Sequence, residues 1–427
     1  MSGEKPREIA IRVLRQRRRT GDYVEKLLER ELAHHALLPV DRALCQELVY
    51  GVVRWQGALD WLVARKTGSR AQNVSLRALL HLGLYQLFWL QRIPDHAAVH
   101  ETVELAKRLG FGPRAGFLNA ILRGYIRERP QTVELLHALK ETDPAAGYSH
   151  PAWLVERWQA RWGPARTAAL LAWNNQPPPI YARLNELKTD PARLAARWRQ
   201  EGLEFEERCW DWTGPRLVFE LLRHPPLAGL GSFQDGWFYV QDPSTLLAVR
   251  HLDPQPGERI LDLCAAPGGK TTHIAQRMGN RGRIEARDNQ PERFKMLEEN
   301  CRRLGATCVE LAAAPGAFDR ILIDAPCSNT GVLRRRVEAR WRVQPEEILR
   351  LSKAQSALLT QAALELKPGG TLGYSTCSLE PEENEEVVRR FLEQYPAFKL
   401  ENERQLLPFQ EGVDGAYVAT LRRQSSS

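Results

Sequence analysis

The sequence predicts a multidomain protein: an all-α N-terminal domain, a small α+β linking domain, and a C-terminal α/β domain with a doubly wound sheet. Through the first third of the chain apolar residues recur at three- and four-residue spacing, as in amphipathic helices. From about residue 231, strand patterns alternate with helical patterns, which favours a mainly parallel sheet. We therefore expect domains at 1–140, 141–230 and 231–427.

The N-terminal region is basic as well as helical. Residues 1–140 contain 23 Lys and Arg against 14 Asp and Glu, which leaves 37 of the 60 basic and 38 of the 52 acidic residues for the rest. The first predicted helix carries Arg12, Arg15, Arg17, Arg18 and Arg19. This cluster predicts either phosphate contacts with RNA or DNA, or an ordinary solvated helix face.

The linking region is rich in proline and tryptophan. Prolines cluster at 177–179 and 225–226, and seven of the twelve tryptophans lie between residues 141 and 230. Tryptophan can stack on unpaired bases. Trp153, Trp158 and Trp162 have helical spacing, however, and this favours burial against a neighbouring element.

The C-terminal region supplies the strands of the predicted sheet. We expect strands at 259–263, 282–288, 308–311, 318–324, 370–375 and 417–421, and helices near 269–278, 291–304, 345–366 and 384–394. Ligands of such sheets bind beyond the C-terminal ends of the strands, where the strand order reverses.

A glycine-rich loop, LDLCAAPGGKTT at 261–272, follows the first of these strands. Its glycines permit a close approach of ligand to backbone, and the following helix begins with free amides. A nucleotide-binding P-loop would need glycine at position 264, and Cys264 stands there instead. Asp288, at the predicted end of the second strand, is placed to bind ribose hydroxyls rather than to be an ordinary surface carboxylate.

Two further segments each present one cysteine at a predicted strand end: DAPCSNTG at 324–331 and YSTCS at 374–378. A thiolate that adds to C6 of cytosine makes C5 nucleophilic, so the combination predicts thiol-assisted methyl transfer to a pyrimidine. The chain has seven cysteines without a Cys-x-x-Cys pair, so neither a disulfide framework nor a metal site is expected.

The segments IPDHAAVHETVELAKRLG at 93–110 and AGFLNAILRG at 115–124 resemble the RNA-binding helical fold of NusB, over about residues 5–130. That resemblance implies a core in which Val99, Val103 and Ala106 pack on Phe117, Leu118 and Leu122. The glycine loop and both cysteine segments, with LRRR and LEPEENEEVV after them, resemble the RNA cytosine-5 methyltransferases of the Nop/Sun family. Nearly the whole chain is similar to bacterial small-subunit ribosomal RNA methyltransferases of that family.

The resemblance implies a Rossmann-like catalytic domain that binds S-adenosyl-L-methionine, and it implies roles for particular residues. Cys377 is the nucleophile, Cys327 assists release of the product, and Asp324 lies near both the methyl donor and the target ring. Asp288 binds the ribose. The implied cofactor loop consists of Cys264, Ala265, Ala266, Pro267, Gly268, Gly269 and Lys270. The residues alone leave the nucleophile open, because a Pro-Cys motif nominates Cys327 and a Thr-Cys motif nominates Cys377; we predict Cys377.

Two departures from the family pattern stand out. The stretch VELAAAPGAF at 309–318 lacks the expected adenine-side aspartate, and Glu310 comes too early to replace it. Asn329 occupies a position where the family has a smaller residue. After the first cysteine loop, Arg334, Arg335, Arg336, Arg340 and Arg342 are predicted to clamp RNA phosphates, with Trp341 either stacking or packing. The tail motif from Gly412 to Tyr417 is predicted to be a structural turn.

These inferences predict a cytoplasmic monomer that acts on 16S rRNA, either naked or in a partly assembled small subunit. No membrane span and no signal peptide are expected from the hydropathy pattern. Two alternatives remain: an RNA-binding assembly factor with an inactive methyltransferase fold, and a transfer RNA cytosine-5 methyltransferase.

Overall fold

The computed structural model describes residues 5–68, 72–288, 290–311 and 316–425. The chain divides into two compact units. The N-terminal unit runs to Gln176 and includes the separate segment Arg336–Arg342; the C-terminal unit comprises Pro177–Arg335 and the chain from Val343 onward.

Helices make up the N-terminal unit. They are α1 (Pro6–Thr20), α2 (Val24–His34), α3 (Pro39–Arg54), α4 (Gln56–Thr67), α5 (Val74–Trp89), α6 (Asp95–Ala106), α7 (Ala115–Arg127), α8 (Arg129–Thr142), α9 (Pro144–Gly147) and α10 (Ala152–Asn174). Gly163 interrupts α10 with non-helical backbone angles, just before Pro164. Of the residues described, no helix is long and apolar enough to span a membrane.

The core of this unit confirms most of the predicted α6 and α7 contacts. Val99, Ala106, Leu118 and Leu122 are buried in one apolar cluster, with Val103 packed against it. Phe117 was expected in this core, and that expectation is wrong, because its side chain is 39% exposed. On α7, Leu118, Ile121, Leu122 and Tyr125 form the buried stripe, and Phe117 lies beside it.

The C-terminal unit begins with a four-stranded antiparallel sheet in the order β2-β3-β1-β4. Its strands are β1 (Ile180–Leu184), β2 (Glu204–Arg208), β3 (Val218–Arg223) and β4 (Phe238–Val240). Helix α11 (Pro191–Gln200) joins β1 to β2 and buries Leu194 and Trp198. Trp198 packs edge-on against Phe205, Phe219 and Phe238, so this indole is a core residue as its setting in the sequence favoured.

A second, seven-stranded sheet has the order β10-β11-β9-β8-β5-β6-β7. Its strands are β5 (Arg259–Asp262), β6 (Arg283–Ala286), β7 (Val309–Glu310), β8 (Phe318–Asp324), β9 (Leu366–Thr376), β10 (Phe398–Leu406) and β11 (Ala416–Arg423). The neighbours from β9 to β7 are parallel, whereas β10 and β11 are antiparallel.

The remaining helices complete the fold. They are α12 (Gly231–Gln234), α13 (Leu246–Leu252), α14 (Gly269–Met278), α15 (Pro291–Leu304), α16 (Ala339–Arg342), α17 (Pro345–Glu365), α18 (Glu385–Gln394) and α19 (Pro408–Glu411), of which α16 belongs to the N-terminal unit. Strand order reverses between β5 and β8, so the crevice at their C-terminal ends is the expected ligand site. The predicted doubly wound sheet is confirmed.

The predicted strands differ from the observed ones in their boundaries, and one strand was missed. The second strand ends at Ala286, two positions before Asp288, and the third is confined to Val309–Glu310. Strand β10 was missed altogether. It lies at the edge of the sheet and exposes a run of polar residues, so it lacks the apolar alternation that identifies a half-buried strand.

Candidate active site

The two cysteine segments meet in the structure. Cys327 follows β8 and Cys377 follows β9, and these strands are parallel neighbours. The two Sγ atoms are 3.1 Å apart. Gly331 brings the loops together, because its amide donates to the Cys377 carbonyl at 2.9 Å and a side chain there would collide with that oxygen. The two cysteines, each predicted at a strand end, thus lie together at the C-terminal ends of neighbouring strands.

Lys270 and Asp324 form an ion pair beside the thiols. The Lys270 ammonium lies 2.7 Å from Oδ2 of Asp324, and Ser375 donates to Oδ1 at 3.0 Å. Burial by itself would lower the pKa of Lys270, but the Asp324 carboxylate outweighs it and raises that pKa. The sequence placed only the Lys270 backbone in the site, and the structure adds the side chain.

Asn329 contacts both cysteines. Its backbone is left-handed, with φ of 62°, a conformation that asparagine tolerates better than most residues. The side-chain Nδ2 donates to the Cys327 carbonyl at 2.8 Å, and Oδ1 lies 3.3 Å from Sγ of Cys377.

The buried carboxylate of Glu383 connects the two cysteine loops, because it accepts hydrogen bonds from both. It accepts the Ser328 amide at 2.9 Å and the Ser378 hydroxyl at 2.5 Å, and it also accepts the Ser328 hydroxyl. Gln355 donates to the same carboxylate at 3.1 Å and to the Pro326 carbonyl at 2.9 Å. Each cysteine is followed directly by a serine that this carboxylate holds, so Glu383 fixes the separation of the thiols.

Replacing Glu383 with alanine should slow methyl transfer by about 10- to 100-fold, as a misplacement of reacting groups by about 1 Å typically does. The free energy of unfolding should also fall, because buried hydroxyls and an amide lose their acceptor. Both can be measured by steady-state assay and by denaturant titration. Glu393→Ala, on the exposed face of α18, is the matched control and should change neither.

The glycine loop lies where the sequence predicted, between β5 and α14. Gly268 has a φ of 103°, and a side chain there would collide with Leu297 of α15. The Asp288 carboxylate accepts the Ala266 amide at 3.1 Å and the Gln290 amide at 2.9 Å. Asp288 is therefore also a structural support of the loop, which its predicted ribose role did not anticipate.

Asp262, at the end of β5, is a buried carboxyl beneath this loop. Its Oδ2 accepts the Thr271 hydroxyl at 2.6 Å, and Oδ1 has no hydrogen-bond partner among the described residues. Burial raises the pKa of Asp262 to about 7.

This shift predicts a pH-dependent stability difference between the wild type and Asp262→Asn. Below about pH 4 the carboxyl is protonated in the folded and unfolded states alike. Between about pH 4 and 7 the unfolded carboxyl ionises while the folded one keeps its proton, so the wild type loses stability relative to the variant, by at most about 1.4 kcal/mol per pH unit. Denaturant titrations from pH 4 to 8 measure this; a difference that stays constant would contradict the assignment.

Residues in and directly after β1 contact two helices that flank the glycine loop. Arg183 of β1 is buried and donates to the Gly269 carbonyl at 2.8 Å and to the Thr272 hydroxyl at 3.1 Å. Asn185 donates to the carbonyls of Gly236 and Leu304 at 2.7 and 2.8 Å. Strand β1 therefore supports the start of α14 and the end of α15.

Arg183→Met should weaken binding of the predicted cofactor by about 10-fold, because hydrogen bonds from a charged donor are each worth about 1.5–3 kcal/mol and part of that orders the loop. Calorimetric titration with S-adenosylhomocysteine measures the change, and RNA affinity should stay the same. The control is Arg223→Met in β3, whose side chain is 80% exposed.

The predicted phosphate clamp at 334–342 is wrong for Arg334 and Arg340, which are buried. Arg334 is 1% exposed, and both it and Arg335 form ion pairs with Asp242 and Asp414, at 2.6–3.2 Å. In the N-terminal unit, the Arg340 guanidinium is buried and donates to Asn175 at 2.7 Å and to the Asn174 carbonyl at 2.9 Å.

The other members of this run differ in exposure. Arg342 donates to the Gly21 carbonyl at 2.6 Å and pairs with Glu338 at 2.9 Å. Trp341 packs and donates to the Val53 carbonyl at 2.7 Å, so the packing alternative is confirmed. Only Arg336 of the five is exposed. A run of basic residues in a sequence does not show that their partners lie far away along the chain, and this is why the phosphate prediction failed.

The tail motif is structural, as predicted, and it supports the site. Gly412 is left-handed, with φ of 66°, and Ala416 begins β11. The Gly415 amide donates to the Gly331 carbonyl at 2.8 Å, and Asp414 receives the two arginines described above. The position of this tail beside the first cysteine loop had no signal in the sequence.

The other cysteines have different surroundings. Burial raises the pKa of Cys264 and of Cys301 to about 12, and it raises the pKa of Cys308 as well. Such thiols remain protonated near neutral pH and are poor nucleophiles.

Within the described ranges, no three His, Cys, Asp or Glu side chains are arranged to hold a metal ion. The stretch at 309–318, which lacks the adenine-side aspartate, includes residues 312–315, and these lie outside the described residues.

Comparisons with known proteins agree with this architecture. The profile of the 16S rRNA methyltransferase RsmB/F family matches residues 249–422, the NusB family matches residues 4–127, and the RsmF/B-like ferredoxin-like domain matches residues 150–214. A solved methyltransferase homolog from Pyrococcus horikoshii covers 66% of this chain and 98% of its own at 30% identity, with a TM-score of 0.58.

Two curated relatives extend over nearly the full length. A probable ribosomal RNA small subunit methyltransferase B from Synechocystis is 37% identical across 98% of this chain and 99% of its own. The probable ribosomal RNA small subunit methyltransferase B from Bacillus subtilis is 33% identical across 98% of both chains. On these grounds the chain belongs to the RsmB/F family of 16S rRNA methyltransferases.

Proposed function

We propose that this enzyme transfers a methyl group from S-adenosyl-L-methionine to C5 of one cytosine in 16S rRNA, through a covalent bond between Cys377 and C6. The observation that carries the proposal is the pair of thiols 3.1 Å apart beside the Lys270–Asp324 ion pair. Family membership supports 16S rRNA as the substrate.

The proposed cofactor site comprises the loop from Cys264 to Lys270, together with Asp288 and Asp324. A cationic ligand fits these residues, because one buried carboxyl oxygen of Asp262 has no hydrogen-bond partner in the described part of the chain and Gly268 keeps the loop free of side-chain bulk. When bound, S-adenosyl-L-methionine supplies the electrophilic methyl group. Lys270 pairs with Asp324 and orients that carboxyl group.

In the proposed mechanism the Cys377 sulfur adds to C6, and electron density moves toward C5 and the ring. Asp324 is assigned to the N3 edge of the cytosine, where its protonated carboxyl donates to N3 as that atom gains electron density and so stabilises the enamine form. Cys377 is assigned as the nucleophile because the thiolate of Cys327 would lie near the buried Glu383 carboxylate. The pKa of Cys327 is raised by its hydrogen bond with Cys377, by burial and by the charge of Glu383.

Cys327 is assigned to product release. After C5 has taken the methyl group, its proton passes to water, and the electrons of that C–H bond restore the C5–C6 double bond and expel Cys377 from C6 as a thiolate. A Cys327 thiol 3.1 Å away can donate a hydrogen bond to the departing Cys377 thiolate. Removing this donor should leave the adduct intact for longer.

The N-terminal unit is proposed to bind RNA. Arg18 and Arg19 of α1 are exposed, whereas Arg12 pairs with Glu31 and Arg17 with Glu338. Phosphate contact is therefore assigned to the end of α1 rather than to the whole run of arginines. We also propose a cytoplasmic monomer with domain boundaries near residues 140 and 230.

The test is transfer of labelled methyl from S-adenosyl-L-methionine to three substrates: protein-free 16S rRNA, partly assembled small subunits, and transfer RNA. Nuclease digestion and mass spectrometry then identify the product. We expect 5-methylcytosine at one position of 16S rRNA. A methyl group at another atom or base would overturn the C5 assignment, and methylation of transfer RNA alone would overturn the substrate. RNA binding without transfer to any of the three would indicate the assembly-factor alternative.

A further inference from the structure

The two thiols and the Asn329 amide form one hydrogen-bonded chain whose direction is fixed at one end. The Asn329 Nδ2 group lies 2.8 Å from the Cys327 carbonyl oxygen. That oxygen is an acceptor, so the amide atom facing it must be the donor nitrogen. The other amide atom, Oδ1, therefore faces Sγ of Cys377 at 3.3 Å. A carbonyl oxygen can only accept, so the Cys377 thiol is the donor of this contact.

This direction determines the contact between the sulfurs. Because the Cys377 proton points to Asn329, the remaining proton between the two sulfurs is that of Cys327, which donates to Sγ of Cys377 at 3.1 Å. The chain therefore runs from Cys327 through Cys377 to Asn329. Resting on the proposed role of Cys377 as nucleophile, we infer that Asn329 is a positioning residue that holds the Cys377 proton in the resting enzyme and orders the two thiols.

The backbone conformation at Asn329 explains how its carboxamide can contact both cysteines. Position 329 is left-handed, and the carboxamide reaches back to the carbonyl of the cysteine two positions earlier. A glycine would adopt the same backbone conformation without the amide. The cysteine loop therefore does not need asparagine for its conformation, and the side chain is available to act on Cys377.

Charged side chains also lie near the two thiols. The ammonium of Lys270 interacts with Cys377. Asp324 is paired with Lys270, and Glu383 lies on the Cys327 side, where it disfavours ionisation of that thiol. Asn329 accepts from the neutral Cys377 thiol, and a hydrogen bond to the neutral form of an acid disfavours its ionisation.

The test is the pH profile of Cys377 alkylation by iodoacetamide, in which the thiolate displaces iodide and forms a thioether. The full-length enzyme is used without RNA, and peptide mass spectrometry separates Cys377 from the other cysteines. In Asn329→Gly the profile should shift about 0.5–1 pH unit toward acid, the size expected for one hydrogen bond to the neutral thiol.

Asn329→Asp provides the opposite arm, because it keeps the size of the side chain and places a negative charge beside Cys377. Its profile should shift toward alkaline pH. Greater solvent access alone would not produce opposite shifts in the two variants. Shifts in the same direction, or no shift in Asn329→Gly, would overturn the inference.

A second readout is the pH dependence of methyl transfer, which in Asn329→Gly should reach its plateau at lower pH. If Cys377 is not the nucleophile, the alkylation shift remains but the transfer profile does not follow it. Failure of the proposed function is thus distinguishable from failure of the role of Asn329. Asn402→Gly, in the edge strand β10, is a control that should alter neither profile.

Discussion

Replacing Cys377 with alanine is expected to abolish methyl transfer to RNA, because Cys377 is the proposed nucleophile toward C6. Removing a nucleophile that forms the covalent intermediate commonly lowers the rate by about 10⁴-fold or more. Cys327→Ala should retain the first methyl transfer but turn over slowly, since the departing thiolate loses its donor. Single-turnover and steady-state assays separate these two effects.

The control is Cys209→Ala, which removes an exposed thiol outside the site and should leave both rates unchanged. If Cys327→Ala loses the first transfer while Cys377→Ala only slows turnover, the two roles must be exchanged. Unfolding of each variant should be measured beside the assays, because the two thiols lie in hydrogen-bonded loops.

Asp324→Asn should have the second largest effect, a fall in kcat of about 10²- to 10⁴-fold, the usual range for loss of a positioned acid or base. Asparagine can still accept from Ser375, which donates to Asp324 at 3.0 Å in the wild type. It cannot balance the charge of Lys270, whose side chain is 15% exposed. Initial rates at saturating RNA and cofactor measure the change.

Asp319→Asn is the matched control, since Asp319 lies in the same strand and pairs with Lys367 at 2.7 Å, away from the thiols. The control variant should keep its kcat. An Asp324→Asn enzyme with wild-type kcat and only a weaker affinity for the cofactor would contradict the role of this carboxylate at the target ring.

The sequence was informative where residues close to one another define a structure. The glycine loop, both cysteine segments and the alternation of strands and helices are local patterns, and the structure has each of them at the predicted strand ends. The sequence placed Cys327 and Cys377 each at a strand end, and their contact follows because the two strands are parallel neighbours.

The contacts that fix the site are distant in sequence, and they had no local signal. Glu383 reaches Ser328 across 55 positions, and Arg183 reaches Gly269 across 86. Arg334 is buried through Asp414, 80 positions away. A charged residue in a sequence resembles a surface residue until its partner is known, so the clamp prediction failed for the buried Arg334 and Arg340, and Glu383 was missed.

The most direct test of the central claim is to trap the covalent adduct. Wild type, Cys327→Ala and Cys377→Ala are each incubated with S-adenosyl-L-methionine and 16S rRNA, denatured, and analysed for RNA-linked protein, with the attachment site found by peptide mass spectrometry. We expect Cys327→Ala to accumulate an adduct through Cys377, and Cys377→Ala to give none. An adduct through Cys327 in the Cys377→Ala enzyme, or active transfer by that enzyme, would contradict this account.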